Sequence, residues 1–361
     1  MKKFLACIFI SVMLIVVFSA CSGGAQAMTT PVGIAVPTVE PAQPVSPEAA
    51  EPIEPTASTE PADGMPLFRV AALRGPTAMG LLHLMRQHDT GETMLDYDFT
   101  LLGSPAEVPP LLVQSVVDMA AVPGNLASIL YNQLDGDVQA MAVVTLGVLH
   151  IVDLTGEINT VADLRGRTIF ATGQGATPEF ALNYVLTQNG LSPSADVTIE
   201  FRAEAPEIGA LLQAGQAEIA LLPEPFISTI LTQVDGLRVA LDLTEEWHSI
   251  QPDYSLIMSI LIGRRAFLEA HPAAVQAFME EYASSINFMT TELSEAAQLA
   301  VDFGLIPNPV IAEAALPGTN IVFITGDDMV RHVNGFLGVL YESAPQSVGG
   351  RLPSNDFFFM P

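Results

Sequence analysis

The chain has 361 residues, 50% of them hydrophobic, enough to bury one large core or two ordinary ones, so disorder is excluded for most of its length. With 13 basic and 40 acidic residues it carries a formal net charge of -27, which repels phosphate backbones and anionic headgroups and excludes nucleic acid and peripheral lipid as principal partners. Both lysines, Lys2 and Lys3, and both cysteines, Cys7 and Cys21, fall at the N-terminal end; the remainder therefore lacks a Schiff-base or P-loop lysine, a thiol nucleophile and cysteine-ligated zinc.

Met1-Lys2-Lys3 is a short positive segment, and Phe4 to Ala20 is an apolar run broken only by Ser11 and Ser19, the pattern of a secretory signal over residues 1–20. Its last residues, Phe18-Ser19-Ala20-Cys21, resemble the bacterial lipobox, with Phe18 where leucine is usual. That resemblance implies that Cys21 receives diacylglyceride and becomes the new N-terminus, anchoring the protein to the membrane through lipid alone. An uncleaved membrane helix is the alternative, because the run nearly spans a bilayer. Either reading places the rest outside the cytoplasmic membrane. Residues 21–66 are rich in proline, alanine, threonine and glutamate, and bury too little surface to offset their ordering entropy. They read as a tether, extended by prolines and by the mutual repulsion of Glu40, Glu48, Glu51, Glu54 and Glu60.

From Leu67 onward short β-branched runs alternate with helical stretches, the signature of an α/β fold with largely parallel sheets. Strands are predicted at Phe68 to Leu73, Tyr97 to Gly103 and Asp118 to Val122, and helices at Pro76 to Gln87, Ala106 to Ser115 and Asn125 to Leu134. The apolar stretch Val138 to Leu154 is interrupted at Thr145 and Gly147, where the chain is expected to pass from one domain to another. A second series follows, with strands at Thr168 to Ala171, Val197 to Phe201 and Glu218 to Leu222 and helices at Pro178 to Gln188, Pro206 to Ala214 and Phe226 to Gln233. Ser255 to Ile262 reads as a further strand, and Arg265 to Phe303 and Asp327 to Tyr341 as mainly helical. The expected organisation is a discontinuous first domain, 67–146 and 256–361, with a second, 147–255, inserted into it.

Ligands of open parallel sheets bind beyond the carboxyl ends of the strands. Four such junctions share one kind of punctuation: Arg74-Gly75-Pro76-Thr77, Pro123-Gly124-Asn125, Gly173-Gln174-Gly175-Ala176-Thr177-Pro178 and Pro223-Glu224-Pro225. Proline at a first helical position beside a polar residue exposes N–H groups that accept an anion or a polar ligand. Two junctions fall in each expected domain, so together they would line an interdomain cleft. Bland readings stand beside these: Thr177 and Asn125 as simple helix caps, Pro223-Glu224-Pro225 as strand termination. Gly173-x-Gly175 lacks the third glycine of a dinucleotide fingerprint. His83, His88, His150, His248, His271 and His332 show no paired metal spacing and read as surface or core residues; no metal and no cofactor is expected. Glu245-Glu246 reads as a solvated face, and Trp247 either packs in the core or stacks on a ligand at the cleft edge.

The runs Arg69 to Gly80, Ala120 to Ala127, Gly175 to Tyr184 and Leu222 to Phe226, together with Leu241 to Trp247 and Val348 to Pro353, resemble the ABC-transporter solute-binding lipoproteins of the nitrate, sulfonate, taurine and thiamine-pyrimidine type. The resemblance covers nearly everything from Phe68 onward. It implies a type II periplasmic-binding-protein fold, two α/β domains joined by a hinge, that captures a small polar or anionic solute and delivers it to an ABC permease and its ATPase. Carried over, the ligand loops are Gly75 to Met79, Pro123 to Asn125, Gly173 to Pro178 (with Gln174, Gly175, Ala176 and Thr177) and Pro223 to Pro225, with Thr172 also a ligand-binding candidate, Thr145 to Gly147 near the hinge and Arg74 keeping a positive charge where relatives often have lysine. The competing class is an exported enzyme on the same fold, related to pyrimidine synthases or chorismate-type dehydratases; the lack of lysine, cysteine and histidine in the four loops weighs against it.

Overall fold

The computed structural model describes residues 65–360; the signal sequence, Cys21 and nearly all of the tether lie outside the described residues. The chain runs β1 (Leu67–Leu73), α1 (Pro76–Met79), α2 (Leu82–Thr90), β2 (Asp96–Leu102), α3 (Val108–Val113), β3 (Met119–Pro123), α4 (Gly124–Gln133) and β4 (Val138–Leu146). It continues with β5 (Leu149–Asp153), β6 (Thr168–Ala171), α5 (Thr177–Gln188), β7 (Thr198–Phe201), α6 (Ala205–Gln213), β8 (Ile219–Pro223), α7 (Phe226–Leu231), β9 (Arg238–Asp242) and α8 (Leu243–Ile250). It closes with β10 (Ile257–Arg264), α9 (Arg265–Ala270), α10 (Pro272–Thr291), α11 (Leu293–Asp302), α12 (Pro309–Ala315), β11 (Ile321–Ile324) and α13 (Gly326–Ser343). Among the described residues no helix is long and apolar enough to cross a membrane.

The strands form two sheets, ordered β11-β4-β10-β3-β1-β2 and β7-β6-β8-β5-β9. Both are mixed, which corrects the expectation of largely parallel sheets: β10 is antiparallel to β3 and β4, β11 to β4, and β5 to β8 and β9. The reason is the route of the chain. β1 to β4 end on one edge of the first sheet, and from Leu146 only Gly147 and Val148 lead to Leu149, which pairs with Pro223 at the end of β8. A strand that starts where its neighbours finish must run against them, and β5 does so. The return through α8 and residues 251–256 starts β10 in the same way, with Ser259 opposite Pro123. The carboxyl edges of the two sheets consequently face each other.

One buried cluster runs through both layers, joining Ile151, Leu182 and Tyr184 of the second sheet's layer to Ile257, Val333, Phe336 and Leu340. Trp247 lies in the middle of it. A second cluster sits under α2 and α10 on the first sheet, around Phe68, Phe278 and Tyr282, and a third under α6 and α7 on the second, around Val152, Ile208 and Ile227. The helix expected over Pro76 to Gln87 is divided at Gly80. The Ser285 hydroxyl donates to the Gly80 carbonyl at 2.6 Å and accepts from the Leu84 N–H at 3.0 Å, so a side chain from α10 takes over backbone groups that a continuous helix would pair internally.

At the crossing, a Cβ on Gly147 would lie 2.3 Å from Thr244 Oγ1 and 2.8 Å from its Cγ2. Gly147→Ala should therefore cost about 1–3 kcal/mol as overpacking, read as a lower denaturant midpoint. The double variant Gly147→Ala/Thr244→Ala should recover part of that loss beyond the sum of the single effects. A fully additive pair would show that the crossing does not depend on this approach.

Candidate functional site

The facing edges touch at three places. At one end, Asn125 at the start of α4 meets the loop before α5: its Nδ2 donates to the Gly175 carbonyl at 3.2 Å and to the Ser347 carbonyl at 3.0 Å. The Thr177 hydroxyl donates to Asn125 Oδ1 at 3.2 Å and accepts from the Asn125 N–H at 3.4 Å. Both residues are fully buried. At the chain crossing, Asn320 Nδ2 donates to the Gly147 carbonyl, the Glu224 N–H donates to the Val148 carbonyl at 2.9 Å, and Gly318 lies against the Glu224 side chain. At the outer end, Gly103 after β2 approaches Glu204 after β7, a Cβ there lying 3.5 Å from Glu204 Oε1.

Between these contacts the loops differ in what they leave available. Arg74, at the end of β1, is exposed. The other ten arginines of the described residues all hold a side-chain partner, and Arg74 alone has none. Gly75 beside it has φ +101, which only glycine adopts without strain, and opens the turn that sets Pro76 and Thr77 at the start of α1. From the other edge, Thr172 and Gly173 are half-buried and Gln174 and Gly175 exposed. Gly173 has φ +77 and lies so close to Pro178 that a Cβ would meet its Cγ at 2.8 Å. Pro178 is half-buried, as is Pro223.

Other residues expected at the site are otherwise engaged. Met79 is fully buried in the core under α2, and Ala176 and Gly124 are buried as well. Thr145 is buried and donates to the Pro76 carbonyl at 3.4 Å, so it ties β4 to the first loop. Glu224 turns back on α7, accepting from the Ser228 N–H at 3.1 Å and its hydroxyl at 3.0 Å; the Glu224-Pro225 peptide is cis, and Pro225 is buried. Thr177 is not the cap of α5: Ala176 holds that position without a side-chain hydrogen bond, and the Gly175 N–H is taken by Glu179 Oε2 at 2.6 Å instead. Trp247 is a core residue and presents no surface to a ligand. It is 0% exposed, donates from Nε1 to the Tyr254 carbonyl at 2.8 Å, and packs between Tyr184 and Phe336 at ring separations of 4.9 and 5.9 Å.

The structure adds a pair that the sequence reading passed over. His150, the second residue of β5, lies opposite Asp242, the last residue of β9, with Nε2 3.4 Å from Asp242 Oδ2. Asp242 also caps α8, accepting from the Thr244 N–H at 2.7 Å. Burial alone would lower the His150 pKa, but the hydrogen bond and charge of Asp242, with the charge of Glu224, outweigh it and hold the imidazole above its ordinary value. Burial likewise pushes Asp242 up, and His150 together with the α8 N–H groups pulls it below the usual carboxylate range. The sequence carried no signal for this pair, because β9 was not predicted and the two residues are far apart in the chain.

Two expectations follow. Thr177→Val strands Asn125 Oδ1 and the Asn125 backbone N–H in a buried place and should cost about 1–3 kcal/mol, with Thr177→Ser recovering most of it in thermal melts; an unchanged Thr177→Val midpoint would mean the clasp carries no weight. His150 has a folded pKa above its unfolded one, so its stabilisation is complete below the unfolded value of about 6.5 and is lost as pH rises through the folded value. Stability measured across that window should fall with rising pH, and His150→Gln should flatten the fall; a slope that survives the substitution belongs to other groups.

The fold recurs in solved structures. An ABC transporter protein from Parabacteroides distasonis superposes with a TM-score of 0.67 at 20% identity, covering 81% of this chain and 99% of that one. The alkanesulfonate-binding protein SsuA from Xanthomonas axonopodis pv. citri, bound to MOPS, matches with a TM-score of 0.62 at 16% identity over 82% of this chain and 96% of its own. The periplasmic nitrate-binding protein NrtA from Synechocystis gives 0.59 at 13% identity over 79% and 84%. The architecture is accordingly periplasmic-binding-protein-like. No curated protein sequence matches the chain. The model of the NMT1-like family matches residues 116–302, a span that runs from β3 through the crossing, the whole second sheet and the return strand to the end of α11. It thus takes in both passages between the facing edges, and the chain belongs to the NMT1-like family.

Proposed function

We propose that the chain is a solute receptor that holds a small anionic solute between the facing sheet edges and delivers it to the permease and ATPase of an ABC importer. The observation that carries this reading is Arg74, the one arginine of the described residues without a partner, exposed at the carboxyl end of β1. An unpaired guanidinium there gives an anion a charge-assisted, planar partner. Gln174 and Thr172 supply polar groups from the opposite edge, and the glycines at 75, 173 and 175 let backbone approach the ligand closely. Asn125, Thr177 and Thr145 serve the reading as ties that set the loops in place, and Trp247 as core. The sulfonate- and nitrate-binding proteins that share the fold are receptors for small anions, which supports the class of solute by analogy.

In this reading residues 67–146 with 256–361 and residues 147–255 act as two domains that close on the solute about the crossing at Gly147 and the return after α8. The protein works outside the cytoplasmic membrane, held there by lipid on Cys21 with residues 21–66 as tether.

Arg74→Gln tests the site. Calorimetric titration with MOPS, methanesulfonate and nitrate should find at least one of them bound by the parent protein, and the substitution should weaken it about 10-fold to 150-fold, the worth of a hydrogen bond to a charged group. The melting temperature of the empty protein should not move, since Arg74 has no partner to lose. Binding that survives Arg74→Gln intact, or no heat with any of the three anions, would remove the basis of the reading.

A further inference from the structure

Away from the facing edges, a groove of about 1230 Å³ runs between α5, β7 and the C-terminal end of α13. None of the residues that line it belongs to the four loops after the strands. Its walls include Phe180 and Tyr184 of α5 and Phe201 of β7, three aromatic residues lining a space large enough for a small organic molecule. Its polar complement is one-sided. Lysine, arginine and histidine are all missing from the lining, whereas Glu179 and Glu342 are both present, and Glu342 is exposed without an ion pair. The side-chain oxygen of Asn183, also in the lining, is buried and has no hydrogen-bond partner. A buried acceptor left unsatisfied carries a desolvation penalty, which is relieved when the Asn183 side chain turns its oxygen to a donor in the groove.

We propose that this groove is a second binding site, distinct from the cleft, for an organic cation: an ammonium group carried on a flat apolar body. The rings offer their negative faces to the cation and their area to the body. Asn183 Oδ1 accepts a hydrogen bond from the ammonium, Glu342 supplies the countercharge, and the chain's net charge of -27 raises the local concentration of any cation. The site also touches the cleft. Glu179 Oε2 holds the Gly175 N–H at 2.6 Å, so an ammonium that drew Glu179 toward the groove would release one anchor of the loop that ends at Pro178.

The protein contains one tryptophan, and Trp247 lies against Tyr184 at a ring separation of 4.9 Å, so its emission reports on the groove. The probes share a ring and differ in charge: 2-phenylethylammonium, 2-phenylethanol and phenylacetate. The ammonium should give a saturable change in emission and bind about 10-fold or more tighter than the alcohol, with phenylacetate weakest. Asn183→Leu should weaken the ammonium about 10-fold or more while leaving the melting temperature equal or higher, because it removes an unpaired buried acceptor. Glu342→Gln, an exposed change with no structural partner, should weaken it as well. Arg74→Gln should leave the ammonium unaffected, which separates this site from the cleft and its fate from that of the receptor reading. Equal affinity for the three probes, no saturable change, parent-like binding by both groove variants, or loss of binding in Arg74→Gln would each overturn the proposal.

Discussion

Residue 147 has no side chain because Thr244 occupies the space where one would go. That close approach lets the chain leave β4 and enter β5 with only Gly147 and Val148 between them, while the return element α8 lies directly across the passage. A longer crossing would free the second sheet to sit at any angle to the first. The short one forces the carboxyl edge of one sheet onto the carboxyl edge of the other, and the antiparallel placement of β5 and β10 is the necessary result. The loops that gather at the site owe their meeting to this crossing more than to any contact among themselves.

Much of this order was legible in the sequence. Seven of the eleven strands of the described residues were located to within about three residues, and β4 and β5 showed only as one apolar stretch from Val138 to Leu154, because burial on both faces writes itself as continuous hydrophobicity. The two strands that escaped notice are less apolar or shorter. β9 carries Arg238 and Asp242 at its ends, exposes Val239 and lies at a sheet edge; β11 is four residues long between Asn320 and the Gly326 turn. What the sequence did not show was how side chains are spent. Thr177 sits before a proline at the start of a helix, a local pattern that reads as a cap, yet its partner is Asn125, 52 residues away. Trp247 has the same history: its neighbours Tyr184 and Phe336 come from distant elements, and only the assembled core decides between packing and stacking.

Charge is distributed with similar economy. The described chain has no lysine and few arginines, and most of the latter offset carboxylates. Asp118, fully buried, is held by Arg69 at 2.7 Å and Arg264 at 3.0 Å, and the buried Asp153 by Arg238 at 2.8 Å. Removing Arg238 would take the cation from the buried Asp153, and removing Arg69 and Arg264 together would do the same to Asp118, so these arginines are committed by the fold. Arg74 escapes that demand because no acid approaches it. In a molecule of strongly negative formal charge, the one arginine of the described residues without a partner, set at the end of β1, is a local reversal of sign. Bulk charge therefore does nothing to draw an anion in, and any selectivity for one has to come from the edge itself.

The backbone of Gly175 shows how two layers of the molecule constrain one loop. Its N–H is taken by Glu179 from the helix that follows, and its carbonyl by Asn125 from the opposite sheet's layer. Asn125 spends both of its amide hydrogens, one on Gly175 and one on Ser347, and its oxygen on Thr177, so it has no spare bond with which to follow the loop if the loop shifts. Gly175 itself, at φ +74, provides no side chain to brace the turn. The position of the loop is thus a balance between one anchor within its own layer and one across the gap. A change in the separation of the sheets must strain or break the Asn125 contacts to Gly175 and Thr177.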